Sequence, residues 1–366
     1  MVSFLHSADW QLGLKLHFVP GDRGARLRLQ RFETVARIAA LAKERQVDAV
    51  LVAGDVFDDN EVGGDTLQRT RDVLRAFAPI PLLLLPGNHD PANADGALQR
   101  LDLTRFSDLA HVHLLLDESP LRLGALHVYP APLRRRSGIE DPTRPLRELS
   151  LDRAAVNVAM AHGSVLDFST SERAMDRIDG ARLVDKGYDY VALGDWHGTL
   201  SFGPRLWYSG TPEATRFKER DPGNVLHVRI AGPGQMPEVE RLSVARSRWL
   251  QRKEILQNRE EVEALLRWLD ALPERSWTLV ELELEGALSL ADRALLDRGL
   301  QTQAEELLCL RLRDEELRTA PAPEDLQPFE QEGFLSRVAQ QLARGESEAE
   351  RDGLRLLHRL WLERSP

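Results

Sequence analysis

Ile80-Pro81-Leu82-Leu83-Leu84-Leu85-Pro86-Gly87-Asn88-His89-Asp90 is the stretch on which the reading of this chain turns. An apolar run of strand length stops at a proline and a glycine, and an amide, an imidazole and a carboxylate follow at once. The layout recurs on both sides. Residues 2–6 form an apolar run before Asp9-Trp10-Gln11, and residues 49–53 lead into Gly54-Asp55-Val56-Phe57-Asp58. Further on, residues 156–161 lead into Ala161-His162-Gly163, and residues 188–193 into Gly194-Asp195-Trp196-His197. Between the first runs, Leu27, Leu29, Phe32, Val35, Ile38, Ala39 and Leu41 follow a near-helical period over residues 26–43, and residues 65–77 read as a second helix. Alternating strands and helices predict a largely parallel sheet covered by helices. Polar residues just past strand ends are where open α/β sheets build their sites.

From about residue 121 the pattern changes. Residues 121–129, 156–161, 188–193, 205–208, 225–230 and 239–244 read as strands with few helices between them, which predicts a second sheet packed on the first. Residues 246–320 read as a separate small α/β unit with helices near 259–272 and 290–305 and strands at 278–285 and 307–313. Pro321-Ala322-Pro323 reads as a linker. The tail, 321–366, carries two helical patterns. Phe334, Leu335, Val338 and Leu342 share one face of the first; Leu354, Leu357 and Trp361, with Leu356 and Leu360, share one of the second. A hairpin folded back on its own domain and a partner-binding hairpin both fit. The domain expectation is therefore 1–245, 246–320 and 321–366.

Composition narrows the function classes. A chain of 366 residues, 42% hydrophobic, can bury a full core and make two domains. Met1-Val2-Ser3-Phe4-Leu5 has no basic region ahead of a long apolar stretch, so no signal peptide is expected. The longest apolar run, near residues 80–85, is too short to span a bilayer. The single cysteine, Cys309, rules out an internal disulfide framework and reads as a buried small hydrophobe. A cytoplasmic location is expected. The formal net charge of −10 argues against broad adhesion to nucleic acid, although cations bound at the site would offset several carboxylates. Arg134-Arg135-Arg136 reads as a solvated loop rather than a binding patch.

The strand-end residues suit phosphoester chemistry. Two divalent ions about 3.5–4 Å apart hold the attacking and leaving oxygens of a phosphoester displacement. Asp55 suits the bridge between them, Asp9 one ion, and the Asn88 amide oxygen the other. His162 and His197 supply imidazole nitrogen. His89, beside Asn88, would face the substrate, to stabilise its charge or protonate the leaving oxygen. Asp58 and Asp90 read as loop-holding residues. His6, His111, His113, His127, His227 and His358 read as hydrogen-bonded structural histidines.

These segments resemble those of calcineurin-like metallophosphoesterases and, within them, the chain is similar to the nuclease subunits of the SbcCD and Mre11–Rad50 type. The similarity rests on Phe4-Leu5-His6-Ser7-Ala8-Asp9-Trp10-Gln11-Leu12-Gly13, on the Gly54 and Gly87 segments, and on Tyr208-Ser209-Gly210-Thr211-Pro212-Glu213. It covers roughly residues 1–245. The resemblance implies a four-layer α/β/β/α sandwich with a small cap-like α/β domain and a C-terminal helical hairpin. It implies Asp9, Gln11, Asp55 and His197 on one metal, Asp55, Asn88, His162 and Asp195 on the other, and His89 as the catalytic histidine. It further implies Mn²⁺, homodimers, and a coiled-coil ATPase partner of the SbcC or Rad50 kind bound through the hairpin.

Two positions depart from the family pattern. Gln11 stands where an imidazole is usual, and Asp195 where the first histidine of a Gly-His-x-His motif is usual. A carboxylate at position 195 makes the site harder and favours Mn²⁺ or Mg²⁺ over Zn²⁺. The expected function is a two-metal DNA phosphodiesterase, an exo- or endonuclease. The alternatives are a catalytically weakened scaffold that binds DNA and a phosphodiesterase for small molecules.

Overall fold

In the computed structural model, which describes residues 1–166, 176–319, 333–345 and 347–364, the first apolar run is strand β1 (Val2–Ser7), buried almost throughout. Helix α1 (Gly21–Glu44) follows and begins five residues ahead of the apolar period. Residues 21–23 at its start are exposed, so no apolar residue marked them. Then come β2 (Ala49–Val52), α2 (Gly64–Leu74), β3 (Leu82–Leu84) and β4 (Val112–Leu114). The next elements are β5 (Leu121–Leu123), β6 (Leu126–Ala131), β7 (Val156–His162), β8 (Ser164–Val165), β9 (Arg177–Ile178) and α3 (Gly180–Lys186). Strands β10 (Tyr190–Gly194), β11 (Leu200–Ser201), β12 (Leu206–Tyr208), β13 (Asn224–Ile230) and β14 (Glu238–Ser243) complete the set.

Two six-stranded sheets result. The first runs β14-β13-β1-β2-β3-β4 and the second β11-β12-β10-β7-β6-β5. β1 to β4 are mutually parallel, as are β6, β7, β10 and β12. β13 and β14 join the first sheet antiparallel, although the run of strands after residue 121 had pointed to the second. Local pattern does not encode which edge a returning strand takes. Residues 121–129 form two antiparallel strands rather than one, because Gly124 turns the chain with φ +60°.

Period-two alternation sorts each strand between two cores. Phe4, Leu51 and Leu83 pack with Val128, Met160 and Tyr190 in the layer between the sheets, and the Phe4 and Tyr190 rings meet edge-on at 5.4 Å. Leu5, Val50 and Leu84 face the opposite way, onto Val35 and Ile38 of α1. On the far side Ala159 and Val191 pack with Leu183 of α3. The order of layers is α/β/β/α.

The chain divides into two compact units, Met1–Ser247 and Arg248–Pro366. The second holds β15 (Arg248–Leu256), α4 (Arg259–Asp270), β16 (Thr278–Leu288), α5 (Leu290–Glu306) and β17 (Cys309–Thr319), with a parallel sheet in that order. Sequence patterning missed β15, whose charged residues hide its alternation. Cys309 is only partly buried. The stretch Pro321-Ala322-Pro323 lies outside the described residues, and so do the side chains of His358 and Trp361. Beyond the stretch, α6 (Gly333–Arg344) and α7 (Glu348–Arg364) pack through Ala339 and Leu354 onto Leu290 of α5. No helix among the described residues is long and apolar enough to cross a membrane.

Candidate metal centre

Five strand ends converge at one edge of the sandwich. Asp9 follows β1, Asp55 follows β2, Asn88 and His89 follow β3, His162 ends β7, and Asp195 and His197 follow β10. Asp9, Asp55 and His162 are buried, and each presents a ligand atom within 4.8 Å of the others'. Asp195 and His197 lie outside that compact grouping; Asp195 is tied to it by a hydrogen bond, and His197 pairs with Gln11. The Asp195 backbone N–H donates to Asp9 Oδ1 at 3.2 Å. Gln11 Nε2 lies 3.1 Å from His197 Nε2.

The backbone is bent to make this possible. Asp9, Gln11, Asp55 and Asp195 all have positive φ, at 53°, 44°, 53° and 99°. Such conformations cost free energy and cluster where a site needs them. Two glycines leave the room. A Cβ at Gly54 would stand 2.1 Å from His162 Nδ1, and one at Gly87 would stand 2.1 Å from Asp55 Oδ1. Neither position accepts a side chain while the cluster keeps its shape.

The donor set fits divalent ions. His162 Nδ1 donates to the Ala53 carbonyl at 2.8 Å, so Nε2, 3.5 Å from Asp55 Oδ1, is the nitrogen that a metal would take. His162 Nε2 and Asn88 Oδ1 are buried and have no hydrogen-bond partner among the described residues. Buried polar atoms are rarely left so. Here they are an imidazole nitrogen and an amide oxygen beside two carboxylates, which is what a hard or borderline cation takes.

Electrostatics agree. Burial pushes the Asp9 carboxyl up to about 6, with Asp55 and Asp195 adding repulsion against the pull of His162 and His197. Burial disfavours the His162 cation, but the carboxylates of Asp55, Asp9 and Asp195 outweigh it and raise this imidazole to about 9. Without a metal the cluster therefore keeps a proton on His162 as counter-charge. A divalent cation would displace it.

His89 stands apart from the buried cluster. Its backbone N–H donates to Asp55 Oδ1 at 2.9 Å, and its Nδ1–H to the Asp58 carbonyl at 2.6 Å. Its side chain is 42% exposed, with Nε2 4.0 Å from Asp55 Oδ2. Asp90, buried, accepts from the Phe57 and Gly87 backbone N–H groups and ties two site loops together. Arg134 and Arg136 are exposed and pair with Glu118 and Asp59.

Sequence reasoning missed three supporting residues. Glu219 Oε1 accepts from His197 Nδ1 at 2.5 Å and also from Thr215. Burial pushes the Glu219 carboxyl up, but the hydrogen bonds of His197 and Thr215 prevail and hold it below its usual range. Arg31, buried within α1, donates to the carbonyls of Trp10, Glu213 and Ala214. Thr211 Oγ1 donates to the Asp9 carbonyl at 2.8 Å. No sequence motif marks Arg31 or Glu219. Thr211 lies in the quoted Tyr208 segment, yet only the fold shows what it touches.

A family model described as calcineurin-like phosphoesterase matches residues 2–199, and the chain belongs to that family. That family is one of metallophosphoesterases, hydrolases that use divalent ions, and the buried Asp9, Asp55 and His162 grouping has the residue types such ions take. Among curated proteins it is similar to the DNA double-strand break repair protein Mre11 of Haloferax volcanii, 30% identical over 227 residues, covering 61% of this chain and 48% of that protein. It is also similar to the D subunit of the nuclease SbcCD of Bacillus subtilis, 25% identical over 330 residues, covering 79% of this chain and 81% of that protein. The chain spans about half the length of the Mre11 proteins of Haloferax volcanii and Halobacterium salinarum. The crystal structure of TT1561 of Thermus thermophilus aligns with a TM-score of 0.41 and 11% identity, covering 66% of this chain and 99% of that one.

Proposed function

We propose that this phosphoesterase is a DNA nuclease, cutting phosphodiesters as an exo- or endonuclease in DNA repair or processing, in complex with a coiled-coil ATPase of the SbcC or Rad50 kind. The observation that carries the reading is the buried Asp9, Asp55 and His162 cluster, with Asn88 Oδ1 and His162 Nε2 left open, in a chain similar to Mre11 and to the D subunit of SbcCD.

Two divalent ions, Mn²⁺ in preference to Mg²⁺, would supply phosphoryl polarisation and an activated water when bound. Asp55 would lie between them. Asp9, Gln11 and His197 would hold one, and Asn88, His162 and Asp195 the other. The remaining work falls to protein groups. The Asp58 carbonyl fixes the His89 ring, whose Nε2 lies 4.0 Å from Asp55 Oδ2 on a partly exposed side chain, which supports a role facing the substrate phosphate. A protonated His89 at that place would neutralise phosphate charge or give its proton to the leaving oxygen. The packed second unit leaves Phe334, Leu356 and Leu360 exposed on α6 and α7, which supports assigning residues 321–366 to the partner. A homodimer is part of the same reading.

End-labelled single- and double-stranded DNA incubated with Mn²⁺ tests this. The intact chain is expected to cut, Asp55→Ala to be inactive, and His89→Ala to lose cleavage while retaining its metal. Full activity in His89→Ala would remove that residue from the mechanism.

A second reading is a scaffold that binds DNA or the partner without cutting. The Gln11 amide beside His197 Nε2 favours it, because an N–H directed there occupies the lone pair a metal needs. Two tightly bound ions with turnover would eliminate it.

A further inference from the structure

Trp196 has no part in the chemistry above, yet it stands between two site residues, Asp195 and His197, and its large side chain is 36% exposed. The ring is positioned rather than loose. Its Nε1 lies close against Gly198, where a Cβ would stand 3.1 Å from it and 2.0 Å from the Arg220 carbonyl oxygen. Thr199 N–H donates to the Asp221 carbonyl at 3.1 Å, so the loop that precedes Asp221 runs alongside the tryptophan.

That loop is Thr215-Arg216-Phe217-Lys218-Glu219-Arg220. Glu219 is turned inward onto His197 and lies 3.5 Å from Arg216 Nε, while Arg216, Lys218 and Arg220 are exposed. Phe217 is tilted against Phe18 at 6.0 Å, which secures the loop from its other side. The loop that carries these three cations reaches the metal centre through Glu219, on a chain whose net charge is −10.

We infer that Trp196 and this loop form a platform for single-stranded nucleic acid, an inference that rests on the nuclease reading and specifies its substrate. A base stacks on the indole while its flanking phosphates lie along Arg216, Lys218 and Arg220, with the next phosphate directed into the metal centre. Stacking against an indole requires an open base face, which a continuous duplex does not offer. The cations supply the charge complementarity that a polyphosphate needs and a neutral substrate does not.

The test is fluorescence anisotropy of labelled oligothymidylate and of a blunt duplex on the full chain in Mn²⁺, with Asp55→Ala as background to prevent cutting. Added Trp196→Ala is expected to weaken oligothymidylate binding roughly tenfold and duplex binding far less. Trp196→Phe is expected to restore most of the loss, which separates stacking from misfolding. Lys218→Ala, on the exposed loop, is expected to lower the slope of log affinity against log salt by about 0.7. Unchanged oligothymidylate binding in Trp196→Ala, or an equal loss on duplex, overturns this inference alone. A chain that binds neither DNA while hydrolysing a small aryl phosphodiester overturns the nuclease reading, and this inference with it.

Discussion

Gln11 and His197 face each other across 3.1 Å, and the group behind His197 decides what that contact means. Glu219 draws the proton of His197 to Nδ1, so Nε2 is the nitrogen left for a ligand. A carboxylate behind a histidine also raises its basicity as a ligand. Glu219→Gln keeps the shape but removes the charge. It is expected to lower Mn²⁺ affinity about 10–100-fold, measured by titration calorimetry. Unaltered affinity would leave Glu219 as a loop anchor only. At this scale the sequence disclosed the residues with chemistry of their own. Asp9, Asp55, Asn88 and His162 stand at strand ends beside glycine or apolar runs. Arg31 and Glu219 act through contacts at sequence separations of 21 to 183 residues and 22 residues, and nothing local announces them.

Among the elements, β1 and β10 lie in different sheets, and His6 bridges them. Its Nε2–H donates to the Leu193 carbonyl at 3.1 Å, and its Nδ1 accepts from the Tyr190 hydroxyl at 3.0 Å. Burial lowers this imidazole to about 3, only partly offset by the Leu193 hydrogen bond. The folded chain therefore keeps His6 neutral where the unfolded chain, near pH 6.5, takes up a proton. Stability from this residue is full above about pH 6.5 and is lost as pH falls toward 3. Chemical denaturation across that window is expected to show a His6 contribution approaching about 1.4 kcal/mol per pH unit. In His6→Gln that component of the slope should vanish; an identical slope would show that other groups govern acid unfolding. The two strands were visible from their apolar runs, and His6 was read as structural. Its bridging of two sheets was not visible, because residues 6 and 193 share no pattern.

For the molecule as a whole, the metal centre is a concentration of negative charge that the fold must hold together. Asp9, raised to about 6, and His162, raised to about 9, both titrate higher when folded. The associated stability is full below the unfolded values, near 4 for the carboxyl and 6.5 for the imidazole. It is lost as pH rises through about 6 and about 9. In metal-free protein these two groups thus lower thermal stability as pH rises between about 4 and 9, opposed by His6 only below about pH 6.5. Added Mn²⁺ is expected to reverse the trend, since a divalent ion held there would replace the His162 proton and stabilise the folded state by mass action. Melting curves with Mn²⁺ and with chelator are expected to diverge increasingly from pH 6 to 8.5. A gap that is constant or shrinks over that range would contradict this assignment of the charge.

What the sequence determined by itself was the α/β character, most of the strand runs, and the residue types at their ends. Alternation, helical period and glycine punctuation are local properties, so they survive in one dimension. Only the tertiary structure decided that β13 and β14 close the first sheet, that β15 is a strand, and that Glu219 and Arg31 serve the site. It also decided that Trp196 lies near the backbone of Arg220, on the loop whose Glu219 reaches His197. These outcomes depend on which distant surfaces are buried together. A buried donor or acceptor takes whatever partner the packing brings within 3 Å or so, wherever that partner lies in the chain.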